Sequence, residues 1–266
     1  MSEQAARFVD SIPGYYERFL APHLFRRYAD DIASRVAKAQ PESVLELAAG
    51  TGVVSRCLRD VMPAACTVTA TDLNYPMLEL AKTKFDSHEN IQFRTADACD
   101  LPFDDESFDA VVCQFGVMFF PDKLRSYEEA LRVLTPGGRY LLNVWCSWED
   151  NPFARIAHEA VARFFPSDPP GFYKVPFAYN DESEIEHSML SAGFVRVDIR
   201  SVKQSANIIS AADFATGLIF GNPLYEEVIT RGGDPGDIRS AVAVSIEREL
   251  GDSMPLEALV IEAEKA

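Results

Sequence analysis

The chain reads as an α/β protein built on a doubly wound parallel sheet, and three observations carry that prediction. From residue 43 to 146, short apolar runs alternate with stretches of helical periodicity. The first run ends in a glycine turn, V-L-E-L-A-A-G-T-G-V-V at 44–54, and the second and third each end in an aspartate. Alternating strands and helices favour parallel pairing, because a helix on the sheet face returns the chain to the starting edge by a right-handed crossover.

Residues 1–40 place aromatic and charged side chains at helical spacing, with Pro13-Gly14 as an early break, and predict an N-terminal helical cover. Five buried strands are predicted at Ser43–Ala48, Thr67–Leu73, Ile91–Ala96, Phe108–Phe115 and Gly138–Cys146. Between the second and third, Pro76 marks a helix start, with Met77, Leu80, Ala81 and Lys84 along one face. Another helix covers Lys123–Leu134 and stops at P-G-G. The aromatic, proline-rich stretch 148–180 is no ordinary crossover and reads as a lid. A helix over Ile185–Gly193 precedes strand-like alternation in F-V-R-V-D-I-R-S-V. Residues 210–250 read as helical with a break at R-G-G-D-P-G, and the tail E-A-L-V-I-E-A as a last strand. Without repeats, low-complexity tracts or a linker, one domain over 1–266 is predicted: a cover (1–40), a core (41–146) and cap insertions (147–180 and 205–250).

Composition narrows the partners. The 25 basic and 41 acidic residues leave a formal charge of -16, a surface that repels phosphate backbones and disfavours a nucleic-acid substrate. No apolar run reaches the ~18 residues of a membrane span, and the first residues lack the basic-then-apolar order of a signal peptide. The five cysteines and four histidines are scattered, with no C-x-x-C or H-E-x-x-H, so neither a disulfide framework nor a metal site is read. A cytoplasmic protein with free thiols is expected.

The turn at Gly50-Thr51-Gly52 presents backbone N–H groups and a helix N-terminus at the carboxyl edge of the sheet, where glycine permits close approach. Ser55 stands where the dinucleotide pattern G-x-G-x-x-G requires its third glycine. Asp72 closes the adjacent strand and borders the turn, placed to accept both hydroxyls of a ribose. Glu46 lies inside the first strand, where a buried carboxylate needs a donor or a positive partner such as a ligand ammonium. Asp97, ending the third strand, suits the amino edge of an adenine. No Lys or Arg clamp for a pyrophosphate accompanies the turn. These features together favour a cofactor with adenine, ribose and an amino-acid arm over a dinucleotide.

The ordered set E-L-A-A-G-T-G, A-T-D-L, A-D-A-x-x-L-P-F, F-D-A-V-V and L-x-P-G-G resembles the class I S-adenosylmethionine-dependent methyltransferases, nearest the ubiquinone and menaquinone biosynthesis branch. The resemblance covers residues 40 to 146 plus A-G-F at Ala192–Phe194. It implies a Rossmann-like, seven-stranded, mostly parallel sheet in the order 3-2-1-4-5-7-6 with the last strand antiparallel, and helical cap insertions. It places Glu46, Ala48, Gly50 and Gly52 around the methionine part, with Thr51 of the same turn a further cofactor-binding candidate, and Asp72 on the ribose. Leu73 and Met77 pack near the adenine, Asp97 and Ala98 read its amino edge, and Gln114 and Phe115 approach the amine and the sulfonium. Ala48 stands where a glycine is often found, which narrows the loop there.

The implied enzyme transfers a methyl group from S-adenosylmethionine to a small, apolar or aromatic molecule, leaving S-adenosylhomocysteine. The end of the fourth strand, Q-F-G-V-M-F-F at 114–120, lacks the [N/D]-P-P-[Y/F] of enzymes that methylate planar amines and points to a hydrophobic acceptor pocket. Tyr15, Tyr16, His23, Phe119, Trp148 and Phe177 are the candidate acceptor contacts. No catalytic base is assigned. A non-catalytic module binding the same cofactor and a nucleotide-dependent oxidoreductase are the competing functions; the missing third glycine disfavours the latter.

Overall fold

The structure, a computed structural model, describes residues 2–266; Met1, at the start of the predicted cover, lies outside them. Helices α1 (Ser2–Ala5) and α2 (Ile12–Tyr15) precede a π-helical segment, Tyr16–Phe25, that continues into α3 (Arg26–Lys38). The core follows as β1 (Ser43–Leu47), α4 (Val53–Val61), β2 (Thr67–Asp72), α5 (Tyr75–Lys82), β3 (Ile91–Thr95) and β4 (Phe108–Gln114). A 3-10 turn (Val117–Phe119), α6 (Lys123–Val133) and β5 (Leu134–Trp145) complete it. Then come α7 (Pro152–Ala162), a second 3-10 turn (Phe172–Lys174), α8 (Glu182–Ala192) and β6 (Arg196–Asn207). Last are α9 (Ala211–Phe220), α10 (Leu224–Thr230), α11 (Pro235–Leu250) and β7 (Ser253–Glu264).

The seven strands pair in the order β3-β2-β1-β4-β5-β7-β6. β1 to β5 are mutually parallel where they meet, and β7 runs antiparallel to both β5 and β6. This is the expected order and sense. Side chains alternate across the sheet as the pleat requires: Val44 packs with Ile32, Val54 and Leu58 on one face, whereas Leu45 and Leu47 join the larger core on the other. With both faces covered, the central strands are continuous apolar runs, and a carboxylate inside one of them stands out.

Three local readings need correction. Pro13 sits in the first turn of α2 rather than breaking a helix, and the chain stays helical from Ile12 to Lys38. The first turn has no use for the N–H that proline lacks, so Pro13 starts the helix. On α5 the buried side is Met77, Leu78 and Ala81; Leu80 is only half-buried and Lys84 lies beyond the helix end. The P-G-G after α6 belongs to β5, which begins at Leu134, and the register against β4 shifts between Phe108 and Ala110 to absorb it.

Candidate functional site

The chain leaves β1 through a tight left-handed turn: Ala48, Gly50 and Gly52 have φ of 51°, 57° and 79°. Ala49 N–H donates to the Thr71 carbonyl and Gly50 N–H to Asp72 Oδ2, each at 2.8 Å, so the turn is pinned to the end of β2. A Cβ on Gly52 would lie 2.9 Å from that of Ala81, so glycine here lets the start of α4 lie against α5. Ala48 pays for a left-handed backbone, about 1–2 kcal/mol for a residue with a Cβ. The space for that Cβ comes from Gly116, where an added Cβ would fall 2.5 Å from it. The departure at position 48 is thus matched by a glycine beyond β4.

Two carboxylates meet this turn. Asp72 is buried; its Oδ1 accepts from Asn74 N at 2.7 Å while Oδ2 holds Gly50 N. Burial raises its pKa, opposed by those N–H donors, and each oxygen keeps acceptor capacity for a further donor. Glu46 is buried with Oε2 accepting from Ser55 Oγ at 2.5 Å. Burial pushes its carboxyl up to about 8, with the Ser55 bond opposing and the Asp72 charge adding. Beside it the buried Thr51 Oγ1 has no hydrogen-bond partner among the described residues. Glu46, Thr51 and Gln114 line a recess of about 20 Å³ that shares Ala48, Gly50 and Tyr16 with the main cavity. An orphaned hydroxyl beside a carboxyl short of positive charge is completed by a ligand carrying both an acceptor for the hydroxyl and an ammonium for the carboxyl. The residues present therefore fit an amino-acid arm.

The main cavity encloses about 410 Å³. Its sheet-side wall comprises Ala48, Gly50, Asp72, Leu73, Met77 and, further along, Asp97, Ala98, Gln114 and Phe115. Asp97 is exposed at its rim, with Oδ1 accepting from Cys99 N at 2.8 Å. Gly52 supports the turn from behind and is not on the wall. Phe115 holds φ of 51° and stacks on Trp145, ring centroids 3.9 Å apart and planes within 10°. Its N–H donates to Asn143 Oδ1 at 3.0 Å, so a strained residue is fixed by a ring on one side and an amide on the other.

The facing wall is built of rings. Tyr16, Phe119 and Phe177, of the candidate acceptor contacts, lie on it. Tyr15, His23 and Trp148 do not: Tyr15 packs on Phe19 and Phe220, His23 on Asn207 and Phe214, and Trp148 donates to the Tyr173 carbonyl and lies against His158. The π-helical segment adds Leu20, Leu24 and Phe25, and the cap adds Phe153, Phe172, Tyr173, Leu218 and Asn222. Phe172 and Tyr173 belong to the aromatic stretch read as a lid; sequence reasoning missed the other six. The helix carrying Phe153 was legible, because Asn151-Pro152 before A-R-I-A-H-E-A-V-A is a helix start followed by strong helix formers. At the Asp72 end, Asn74 ties the N-terminal segment across the cavity: Phe8 N–H donates to its Oδ1 at 3.2 Å and its Nδ2 to the Ala6 carbonyl at 2.9 Å.

Known proteins resemble this chain in sequence and in fold. Residues 45–142 match the family described as Methyltransferase domain. A demethylmenaquinone methyltransferase of Clavibacter sepedonicus is 41% identical over 107 residues, 40% of this chain and 42% of that protein's length. A second, from Porphyromonas gingivalis, is 30% identical over 219 residues, 76% of this chain and 89% of that protein. The YcgJ protein of Bacillus subtilis superposes with a TM-score of 0.57 at 20% identity, over 88% of this chain and 98% of that one. A SAM-dependent methyltransferase from Thermotoga maritima, described as a possible histamine N-methyltransferase, superposes over the full length of both chains with a TM-score of 0.56 at 19% identity. These two show a shared fold.

Proposed function

We infer the substrate side of the reaction from one premise: this chain belongs to the S-adenosylmethionine-dependent methyltransferases. When bound, S-adenosylmethionine supplies a methyl group on a positively charged sulfur. The chain's own part is to hold that group, exclude water and set an acceptor atom in line at about 3–3.5 Å. In our reading Asp72 accepts the ribose hydroxyls, Glu46 and Thr51 meet the amino-acid arm with Gln114, and Leu73 and Met77 pack the adenine. Asp97 and the Ala98 backbone take its amino edge, and Phe115 borders the sulfonium.

We propose that the acceptor is a small, largely apolar, aromatic molecule. One observation carries this: the wall facing the acid-and-amide edge is made of side chains such as Phe25, Phe119, Phe153, Phe172 and Phe177, in the same cavity. Among the described residues, the ionisable groups of that wall are the phenols of Tyr16 and Tyr173, both pushed up by burial. Neither serves as a base near neutral pH, so the chain contributes position and dryness, and the acceptor brings its own nucleophilicity. Rings also suit a cationic sulfur, whose charge their faces attract. The relatives' name, demethylmenaquinone methyltransferase, makes a quinol the first acceptor to try. The five free cysteines suit a cytoplasmic setting.

The test is product analysis by mass spectrometry after incubating the protein and S-adenosylmethionine with demethylmenaquinol, 1-naphthol or histamine. Methylation of either aromatic supports the reading. Transfer to histamine alone, whose ammonium has no carboxylate partner on the ring wall, overturns it, as does cofactor binding without transfer to either aromatic.

A further inference from the structure

The ring wall carries one polar feature that its packing does not require. Tyr173, at the second 3-10 turn, is buried, and its hydroxyl donates to the Leu218 carbonyl at 2.9 Å. Leu218 lies in the last turn of α9, where carbonyls run out of helical partners and take side-chain donors instead. Asn222 Nδ2 already donates to that same carbonyl at 2.9 Å. Asn222 is itself fixed, its Oδ1 accepting from Leu224 N at 3.0 Å at the start of α10. The Tyr173 bond is therefore redundant: turned away, it leaves the carbonyl satisfied.

The acceptor side of the same hydroxyl is also underused. A phenol oxygen has two lone pairs, and the one donor reaching it among the described residues, Asn222 Nδ2, stands at 3.4 Å, a weak bond. Tyr173, Leu218 and Asn222 all reach the cavity, among Met118, Phe172 and Phe177. A hydroxyl placed there can accept from a ligand O–H at no loss, or turn and donate to a ligand carbonyl at the loss of one duplicated bond. A buried ring oxygen without such a partner would pay its full desolvation cost.

We propose that Tyr173 anchors an oxygen atom, hydroxyl or carbonyl, borne on the ring of the methyl acceptor, with Asn222 and the Leu218 carbonyl as its positioning support. This rests on the aromatic-acceptor reading and narrows it to oxygenated rings. Tyr173 touches the acceptor and sets its orientation; it removes no proton.

The test uses the full-length protein, with quenching of tryptophan fluorescence by 1-naphthol and by naphthalene as the readout, since Trp145 lines the cavity. The wild type is expected to bind 1-naphthol at least as tightly as naphthalene, which an unpartnered buried hydroxyl would prevent. Tyr173→Phe, which keeps the ring and leaves Leu218 to Asn222, is expected to weaken 1-naphthol by about 3- to 10-fold and naphthalene not at all, the size of one net hydrogen bond. Phe177→Leu is expected to weaken both probes together. The assignment is overturned if Tyr173→Phe leaves the two probes in their wild-type ratio, if wild-type protein prefers naphthalene, or if 1-naphthol binding ignores both substitutions. Calorimetry with S-adenosylhomocysteine separates the two levels of inference. Cofactor binding with an unchanged probe ratio removes Tyr173 alone; no cofactor binding by the wild type removes the functional reading beneath it.

Discussion

The two walls of the cavity are made of different material. At the sheet edge, the lining is small residues and carboxylates from segments that follow their strands directly: Ala48 and Gly50 after β1, Asp72 and Leu73 at β2, Asp97 and Ala98 past β3; the Ala49 and Gly50 N–H groups are spent on Thr71 and Asp72 in pinning the turn. Opposite, they are rings and leucines drawn from the π-helical segment, α7, the second 3-10 turn and α9, nearly two hundred positions apart in the chain. The first wall is defined by where a parallel sheet ends; the second exists only once distant helices have packed. The difference separates two kinds of sensitivity. On the proposed reading, substitutions on the ring wall are expected to act first on stability and acceptor handling, those on the edge on cofactor affinity.

The largest effect tests that separation. Phe153→Ala empties a fully buried site on α7 and is expected to cost about 3–5 kcal/mol in denaturant unfolding, with S-adenosylhomocysteine affinity unchanged at a temperature where the variant is folded. An equal loss of cofactor affinity would merge the two walls into one unit. Next comes the pH dependence of the edge. Glu46 titrates at 4.5 in its ordinary state and at about 8 when folded, so between those values the folded protein holds more proton than the unfolded one. The contribution of Glu46 to stability is then greatest below pH 4.5 and falls as pH rises through the window, by at most ~1.4 kcal/mol per unit. Glu46→Gln is expected to flatten that part of a melting-temperature profile. A slope unaltered by the substitution shows that some other group produces it.

A smaller effect concerns the turn. Gly116→Ala is expected to destabilise by about 1–3 kcal/mol through overpacking against Ala48 and the Cys113 sulfur, 2.5 and 2.8 Å from the added Cβ, and adding Ala48→Gly should restore the Ala48 share of it. The double-mutant cycle reads their coupling directly, and simple additivity would separate the two positions.

Much of the edge was legible because its signals are local. β1 to β4 lie within a residue of the apolar runs that announce them, and Glu46 and Asp72 stand out as acids where a buried strand wants none. Even the unusual alanine at 48 pointed to a place where the backbone has to compensate. The ring wall was less legible for a physical reason. Leu20, Phe25, Phe153 and Leu218 are ordinary apolar residues on helices, and nothing in their spacing distinguishes facing the core from facing a cavity. The π-helical winding of Tyr16–Phe25, which turns Tyr16, Leu20 and Phe25 toward the site, has no sequence pattern as regular as the α-helical one. His23 and Trp148 drew attention as polar aromatics, yet neither lines the cavity and each finds a backbone carbonyl partner, of Asn207 and Tyr173.

The most direct measurement is calorimetric titration of S-adenosylhomocysteine into the wild type and Asp72→Ala, with thermal melting of both. Two hydroxyls lost from a buried carboxylate should weaken binding by about 1–3 kcal/mol, roughly 5- to 150-fold, in a variant that still melts cooperatively. Wild-type affinity in the folded variant would contradict the assignment of the acid edge to the nucleoside.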